Sequence, residues 1–311
     1  MVAVVVGIAI INFFLLQLAP GDAAQVLAGE AGSATPEYMA ALRKQFGLDQ
    51  PLYVQFGRYI GNVLTFDLGF SFRHGMKVSD LILGRLPATL LLMSASIGLA
   101  AILGVAAGFI AARNAGRLTD TIISSVALLF YATPVFWIGL MLIVVFSVWL
   151  DLLPVGGMTA IEAGYTGFAL AADIARHMVL PSVTLGLFYL AVYARLTRAA
   201  MLEVMTQDYV RTAVAKGVRP YRVALHHVLR NALLPIVTML GLQIGSVLGG
   251  AVLVETIFSW PGLGRLAFEA LFQRDLNLLL GILICSSVVV VVVNLLVDII
   301  YTLLDPRIET I

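Results

Sequence analysis

Six apolar runs of about membrane-spanning length constrain this 311-residue chain more than any other feature. A helix needs about 20 mainly apolar residues to cross a bilayer, and it satisfies its own backbone hydrogen bonds there. Only 12% of the residues are charged, about half the share of a soluble domain. The sequence therefore predicts an all-α, polytopic membrane protein with six transmembrane helices, at about residues 2–19, 87–112, 121–150, 177–194, 233–254 and 277–303.

The distribution of arginine and lysine predicts the orientation of these helices. Between Arg195 and Arg230 there are seven basic residues and two acidic ones, and the loop after the second run carries Arg113 and Arg117 against Asp120. Positively charged loops stay on the cytoplasmic side. Six spans with these two loops inside also place both chain termini in the cytoplasm.

The polar stretch 206–235 predicts two short helices between two apolar runs. The first begins at Thr206 or Asp208 and ends at Lys216, with Gly217 just past it, and the second begins at Pro220. At 100° per residue the second helix has a basic face and an opposite apolar face. The basic face carries Arg219, Arg222, His226 and Arg230, and the apolar face carries Tyr221, Leu225, Val228 and Ala232. Such a helix either lies on anionic headgroups or packs between two proteins.

Polar and small residues inside or beside the apolar runs each allow two interpretations. The Thr133-Pro134 pair predicts a kink, which either lines a cavity or serves packing. The stripe of Gly241, Gly245 and Gly249 predicts close helix packing, and it is compatible with a border of a translocation path. Glu255 is either a structural salt-bridge partner or a path residue, and Asp298 is expected to pair with an inner arginine.

The chain before residue 87 divides into two predicted parts. Residues 1–19 form a first transmembrane helix rather than a signal peptide, because no basic residue precedes the run and no clear cleavage site follows it. Residues 20–86 are mixed in composition and form an extracytoplasmic insertion, which caps the structure or contacts another protein. Residues 87–311 form the core transmembrane domain, with a cytoplasmic loop at about 200–232.

Several classes of chemistry have no motif in this sequence. None of the three lysines, Lys44, Lys77 and Lys216, follows the glycine pattern of a P-loop, so we expect no ATP hydrolysis by this chain. The single cysteine, Cys285, and four scattered histidines predict neither a disulfide nor a metal site. We predict no catalytic residue and no bound cofactor, and the net charge of +1 indicates no nucleic-acid partner.

The polar stretch resembles the cytoplasmic EAA loop in permease subunits of binding-protein-dependent ABC importers of the dipeptide, oligopeptide and nickel class. The matching residues are Arg211-Thr212-Ala213, Lys216-Gly217 and 230–235, although Arg211 stands where the name-giving glutamate is found. The resemblance covers nearly the whole chain, including the segments Pro20-Gly21-Asp22, 47–52, 67–71, 255–264 and 301–308.

This resemblance implies a type I importer permease fold in a bacterial inner membrane, with an insertion after the first helix. The implied partners are a homologous second permease, two cytoplasmic ATPases that bind ATP and Mg, an extracytoplasmic substrate-binding protein and membrane lipid. The implied ATPase-coupling residues are Arg211, Thr212, Ala213, Lys216, Gly217, Arg219, Tyr221 and Arg222. The candidate path or gate residues are Thr133, Pro134, Gly245, Glu255 and Trp260.

The implied substrate is a di- or oligopeptide. Nickel chelates and glutathione stay open as alternatives, because no side-chain cluster in the sequence separates them. An ion-gradient-driven transporter would need ionisable residues near the bilayer midplane, whereas Glu255 and Asp298 lie near span ends. A membrane anchor or receptor without transport is disfavoured by the proline- and glycine-interrupted spans.

Overall fold

The structure is a computed structural model, and it describes residues 2–18, 35–46, 49–71, 73–160 and 164–304. Helices make up most of these ranges. In chain order the elements are α1 (Val2–Leu18), α2 (Pro36–Phe46), α3 (Leu52–Leu64), β1 (Phe70–Ser71), β2 (Met76–Lys77), α4 (Val78–Arg113), α5 (Leu118–Ala132), α6 (Val135–Leu142), π1 (Ile143–Trp149), α7 (Gly167–Met205), α8 (Asp208–Ala215), α9 (Pro220–Arg222), π2 (Val223–Leu229), α10 (Arg230–Ile257), α11 (Leu263–Phe272) and α12 (Leu276–Leu304).

The described helices account for four or five membrane spans. Four segments are long and apolar enough to cross a bilayer, namely 78–113, 167–205, 220–241 and 276–296, and α5 with α6 and π1 forms a fifth if the bent pair is one span. Helix α1 has 17 residues, the lower limit of a spanning length. The all-α membrane fold is confirmed, and the count of six spans stays a prediction.

Two helices extend beyond the spans that they contain, through prolines and into polar ends. Helix α4 begins at Val78, so Pro87, at the start of the predicted second span, lies inside the helix. Helix α7 runs over 39 residues, extends beyond both ends of the predicted span at 177–194 and contains Pro181. A long helix tolerates an internal proline where neighbouring groups satisfy the backbone carbonyl that the proline frees.

The Thr133-Pro134 pair produces a break rather than the predicted kink. Helix α5 ends at Ala132 and α6 begins at Val135, and the two axes differ by 103°. Thr133 adopts an extended backbone conformation, as expected for a residue that precedes proline. Its hydroxyl donates to the carbonyl oxygen of Leu129 at 2.7 Å and so satisfies one of the last carbonyls of α5.

The chain forms two compact units, of which the smaller contains residues 1–85 and 267–291. In it, the ring of Phe13 on α1 lies 5.2 Å from that of Phe56 and 5.7 Å from that of Tyr59 on α3. Strands β1 and β2 form an antiparallel hairpin that pairs Phe70 with Lys77. The motifs Pro20-Gly21-Asp22 and Asp305-Pro306-Arg307, and the side chain of Asp298, lie outside the described residues.

The larger unit contains residues 86–266 and 292–311, and we refer to it as the core unit. Its helices α4 and α7 pack closely because two glycines face α7. A Cβ atom on Gly104 would lie 2.7 Å from Cβ of Tyr193, and one on Gly108 would lie 2.6 Å from Cβ of Thr197. Both distances are too short for real carbon atoms, so only glycine fits. This Gly-x-x-x-Gly contact is typical of membrane helices.

Candidate functional site

The loop between α7 and α10 begins with a short helix and a glycine turn. Helix α8 follows α7 after the two-residue turn Thr206-Gln207, and the Thr206 hydroxyl donates to the Glu203 carbonyl at 2.7 Å. Gly217 has a φ of +73°, a left-handed conformation that glycine adopts without steric cost. The Gly217 N–H donates to the Val214 carbonyl and the Val218 N–H to that of Ala213. The predicted first helix and its Gly217 stop are confirmed.

One face of this loop is buried against the rest of the core unit. Val210 and Ala213 of α8 pack in an apolar cluster with residues of α4, α7, π2 and α10. Its buried members are Ala112, Ala200, Met201, Val210, Ala213, Val223, Val228 and Ala232. Because Ala213 faces this cluster, it supports the loop from beneath and is not available to a partner.

The opposite face is exposed and combines cations with apolar side chains. We call it the coupling surface, and it consists of Arg211, Thr212, Val214, Lys216, Gly217, Arg219, Tyr221 and Arg222. Val214 is 60% exposed and Tyr221 is 58% exposed. Arg211 contacts Asp208 of the same helix at 3.6 Å, an exposed pair that leaves most of its guanidinium in solvent. Seven of the eight predicted coupling residues are therefore exposed, and Ala213 is buried.

The predicted second helix of the loop does not stand alone. Helix α9, π2 and α10 form one continuous helix from Pro220 to Ile257. The predicted apolar face is only partly correct, because Val228 and Ala232 are buried whereas Tyr221 is exposed. The Tyr221 ring instead lies 5.7 Å from the guanidinium carbon of Arg113, at the end of α4. A π-helical segment, which α-helical periodicity does not anticipate, causes this difference.

An ion pair beneath the loop ties α5 to α7, and sequence reasoning missed it. The Arg198 Nε and Nη2 groups donate to the two Asp120 carboxylate oxygens at 2.6 and 2.8 Å. Asp120 also accepts hydrogen bonds from the Gly116 N–H and the Ser124 hydroxyl, and its side chain is buried. Such a bidentate pair fixes geometry as well as charge. Both residues entered the sequence analysis only as charges that indicate the orientation of the helices.

The candidate path residue Glu255 lies in a buried hydrogen-bonded cluster at the end of α10. Glu255 is 0% exposed, and its Oε1 accepts a hydrogen bond from the Thr89 hydroxyl at 2.7 Å. Its Oε2 accepts from the Arg265 N–H at 3.0 Å, and Thr89 Oγ1 accepts from the Leu263 N–H at 2.7 Å. The carboxylate and the hydroxyl thus satisfy N–H groups in the first turn of α11, where a helix favours negative charge.

The remaining candidate path residues occupy different environments. Trp260 is fully buried, and its Nε1–H donates to the Ala88 carbonyl at 2.9 Å. Pro134 is exposed at the break between α5 and α6, and Thr133 is half-buried there. Gly249, from the glycine stripe of α10, is exposed, and no atom of the described residues lies within 4 Å of where its Cβ would be. Gly245 lies outside the described side chains. Of the candidate path residues, the structure brings Glu255 and Trp260 together, because the Trp260 backbone N–H donates to the Glu255 carbonyl at 2.8 Å.

Among the described residues no group of three histidine, cysteine or acidic side chains could hold a metal ion. The main features of the site are therefore an exposed cationic surface above an apolar cluster, and a buried carboxylate that caps a helix.

Two family models match this chain and together cover nearly all of it. Residues 104–310 match the binding-protein-dependent transport system inner membrane component, and residues 1–93 match the N-terminal component of such systems. The chain belongs to this family of importer permeases. Its membership agrees with the resemblance read from the EAA-like loop, and it makes the chain a multi-pass membrane protein of the ABC transporter class.

Relatives of this permease align over almost its full length. The di/tripeptide transport system permease protein DppB of Pseudomonas aeruginosa is 43% identical, over 97% of this chain and 94% of the relative. The dipeptide permease DppB of Escherichia coli K12 is 40% identical, over 98% of this chain and 94% of the relative. The oligopeptide permease AppB of Bacillus subtilis is 41% identical, over 99% of this chain and 96% of the relative.

Solved structures confirm the fold of this permease. An inward-facing structure of the MetNI methionine ABC transporter aligns with a TM-score of 0.58 and 16% identity, over 72% of this chain and 96% of the other. A structure of an amino acid ABC transporter with histidines has a TM-score of 0.52 at 16% identity, over 74% and 95%. At this identity the similarity concerns the fold alone.

Proposed function

We propose that this permease forms half of the translocation path of an ATP-driven importer for di- or oligopeptides. We further propose that its coupling surface binds a separate cytoplasmic ATPase. The observation that carries the second proposal is the exposed cationic surface between α7 and α10, which is packed on its other side against the apolar cluster. The three relatives described above are di/tripeptide, dipeptide and oligopeptide permeases, which supports a peptide substrate over nickel chelates or glutathione.

The chemistry of the coupling surface suits a protein partner. Arginine and tyrosine are among the side chains that contribute most to protein interfaces, and this surface offers Arg211, Arg219, Arg222 and Tyr221. Val214 adds an exposed apolar side chain between the cations. We therefore expect the ATPase to present an apolar groove with acidic side chains at its rim, because such a rim complements the arginines.

Coupling requires that ATP-driven movement of the partner reach the transmembrane helices. A partner shifts a conformational equilibrium only through different affinities for the two conformations. The underside of α8 contacts α4 and α7 through the apolar cluster, and the Asp120–Arg198 pair holds α5 to α7 nearby. Force applied at the coupling surface would therefore act on three helices of the core unit rather than on a free loop.

A homologous second permease and an extracytoplasmic binding protein complete the proposed complex. The open position of Gly249 on α10 supports a contact or a path outside this subunit, because no group among the described residues fills the space beside it. The predicted orientation, with both termini and the coupling surface in the cytoplasm, places the insertion at 20–86 on the side of the binding protein.

The proposal is tested by co-expression with an ATPase, a second permease and a binding protein of a peptide importer from the same organism. We expect the complex to copurify, and peptide-loaded binding protein to stimulate its ATP turnover in proteoliposomes. Val214→Asp should abolish copurification of the ATPase, because it places a carboxylate in the apolar groove. Arg117→Glu, an exposed change in the other inner loop, is the matched control and should preserve copurification.

Two results would contradict the proposal. If Val214→Asp bound the ATPase as strongly as the parent protein, the coupling surface would not be the docking site. If binding protein loaded with a nickel chelate stimulated ATP turnover, and binding protein loaded with peptide did not, the substrate assignment would be wrong. Uptake by the permease alone in the absence of any ATPase would instead favour an ion-gradient mechanism.

A further inference from the structure

The helix that leaves the coupling surface contains an extra residue in its π-helical segment. Segment π2 lies without interruption between α9 and α10, and the residues at both of its ends have right-handed helical backbone angles. A π-helix bonds each carbonyl to the fifth following N–H instead of the fourth, so a π segment holds one more residue than the α-helix it replaces. Such segments are rare in proteins, and those that occur are often found at functional sites.

The π segment keeps one apolar face of the continuous helix in the protein interior. The buried positions are Val223, Ala224, Val228, Ala232 and Ile236. Ala224 keeps the four-residue spacing of an α-helix with Val228, whereas Val223 lies five residues before Val228 and does not. In an uninterrupted α-helix Val223 and Val228 would lie about 140° apart around the axis. Val223 is 6% exposed and Val228 is 1% exposed, so the π segment places both in the apolar cluster.

The same stretch of sequence also carries the apolar face of an uninterrupted α-helix. Counting back from Ala232 in steps of four or three residues reaches Val228, Leu225 and Tyr221, which 100° periodicity places on one side. In the structure, however, Leu225 is only half-buried and Tyr221 is exposed. The sequence therefore encodes two alternative apolar faces that share Val228 and Ala232, and the structure uses the π-helical one.

We propose that residues 220–229 form a two-register element that switches between a π-helical and an α-helical state when the ATPase acts. The inference rests on the proposed function, because it requires a partner that pulls on the coupling surface. Loss of the π turn would rotate the segment before Val228 by about 100° and shift it by about 1.5 Å relative to α10. Val223 would leave the apolar cluster, and Leu225 with Tyr221 would turn towards it.

The position of this element suits such a switch. On its C-terminal side Ala232 and Ile236 of α10 are buried, so that end is held by the core unit. On its N-terminal side Pro220 begins the helix, and the Gly217 turn connects it to α8. Conformational changes in proteins use such bistable elements, because packed interiors have discrete alternative arrangements rather than continuous ones. Exchange of one apolar face for another keeps apolar surface buried in both states.

Cysteine labelling tests the switch directly. The background is Cys285→Ala, which removes the single native thiol. Val223→Cys and Val228→Cys are each co-assembled with the ATPase, and labelling by a membrane-permeant maleimide is compared between the nucleotide-free complex and the complex trapped with ATP and vanadate. A buried thiol reacts slowly. We expect Val223→Cys to react about tenfold faster in the trapped state and Val228→Cys to stay protected in both.

Each outcome of this experiment decides the question. Position 228 lies in the same apolar cluster, so a gain of reactivity at position 223 alone reports that Val223 has left this cluster. If position 228 gained reactivity as well, the segment would open locally rather than change register, and the proposal would fail. Protection of position 223 in both states, in a complex that contains the ATPase, would also overturn it. Absence of the ATPase from the complex would instead refute the proposed function.

Deletion of His226 provides a second, functional test. The deletion reduces the spacing between Val223 and Val228 to four residues, so an α-helix would bury both and the alternative register would be lost. We expect the variant to assemble with the ATPase but to show no ATP turnover above the basal rate when loaded binding protein is added. His226→Ala should behave like the parent protein, and deletion of the exposed Asn231 should prevent assembly because it disrupts the spacing from Val228 to Ala232. Normal stimulated turnover after the His226 deletion would overturn the switch.

Discussion

Addition of one methyl group at Gly262 is expected to destabilise the core unit strongly, because the buried carboxylate of Glu255 occupies that space. The three atoms nearest to a Cβ built on Gly262 are the two oxygens and the carboxyl carbon of Glu255, all in steric overlap with it. Overpacking of this kind costs about 1–3 kcal/mol. If the carboxylate rotates away, it loses at least one of its hydrogen bonds from Thr89 and Arg265, at about 1.5–3 kcal/mol each.

Whichever of these two responses occurs, the expected cost of Gly262→Ala is therefore about 1–3 kcal/mol of unfolding free energy, which is large for a single methyl group. The assay is denaturation of the purified permease by SDS in mixed micelles, with the helix content monitored by circular dichroism. Gly98→Ala in α4 is the control, because no atom lies within 4 Å of its Cβ position, and it should be neutral or stabilise by about 0.5–1 kcal/mol.

A double-mutant cycle identifies the cause. In a Glu255→Ala background the overlapping atoms are gone, so the further change Gly262→Ala should cost less than about 1 kcal/mol. The difference between the two backgrounds measures the interaction of the methyl group with the carboxylate. If the two substitutions were additive to within about 0.5 kcal/mol, the close contact of Glu255 with Gly262 would not be the source of the loss, and our account of the cap on α11 would be refuted.

Three further predictions concern other contacts of the core unit. Arg198→Ala and Asp120→Asn should each lower the melting temperature, and their combination should add little, because both remove the same ion pair. Gly104→Leu should prevent recovery of folded permease from membranes by separating α4 from α7, whereas Gly98→Leu should be recovered normally. Gly217→Trp should reduce binding-protein-stimulated ATP turnover, and Gly217→Asn should preserve most of it, because asparagine tolerates the left-handed conformation.

Residue patterns in the sequence predicted the membrane class, the long apolar helices and the α8 helix with its Gly217 stop. These features depend on local properties, namely hydropathy over about 20 residues and the left-handed preference of glycine. Helix ends were predicted less well, since α7 extends well beyond its apolar centre into polar residues at both ends. Hydropathy marks the part of a helix that lies in hydrocarbon, and a helix can continue outside it.

Long-range contacts could not be predicted because each joins residues that are far apart in the chain. Glu255 was expected either to form a salt bridge or to border a path, and its hydrogen bonds come from a hydroxyl 166 residues away and from a backbone N–H. Only the fold brings Thr89 to this position. The Gly104-x-x-x-Gly108 contact had a visible signal in the sequence, but the stripe at Gly241, Gly245 and Gly249 has the same spacing, and nothing in the sequence tells which stripe faces α7.

The failure of helical periodicity at residues 219–232 has a different origin, and it bears on function. The pattern predicted a face with Tyr221 and Leu225, and the structure instead buries Val223 beside Val228. The face with Tyr221 and Leu225 and the face with Val223 are both apolar, so hydropathy does not distinguish them. The sequence is therefore compatible with either register. A helix that needed only one register could carry polar residues on the other face and gain specificity. Apolar residues on both faces are what a segment requires if it has to remain buried after a change of register.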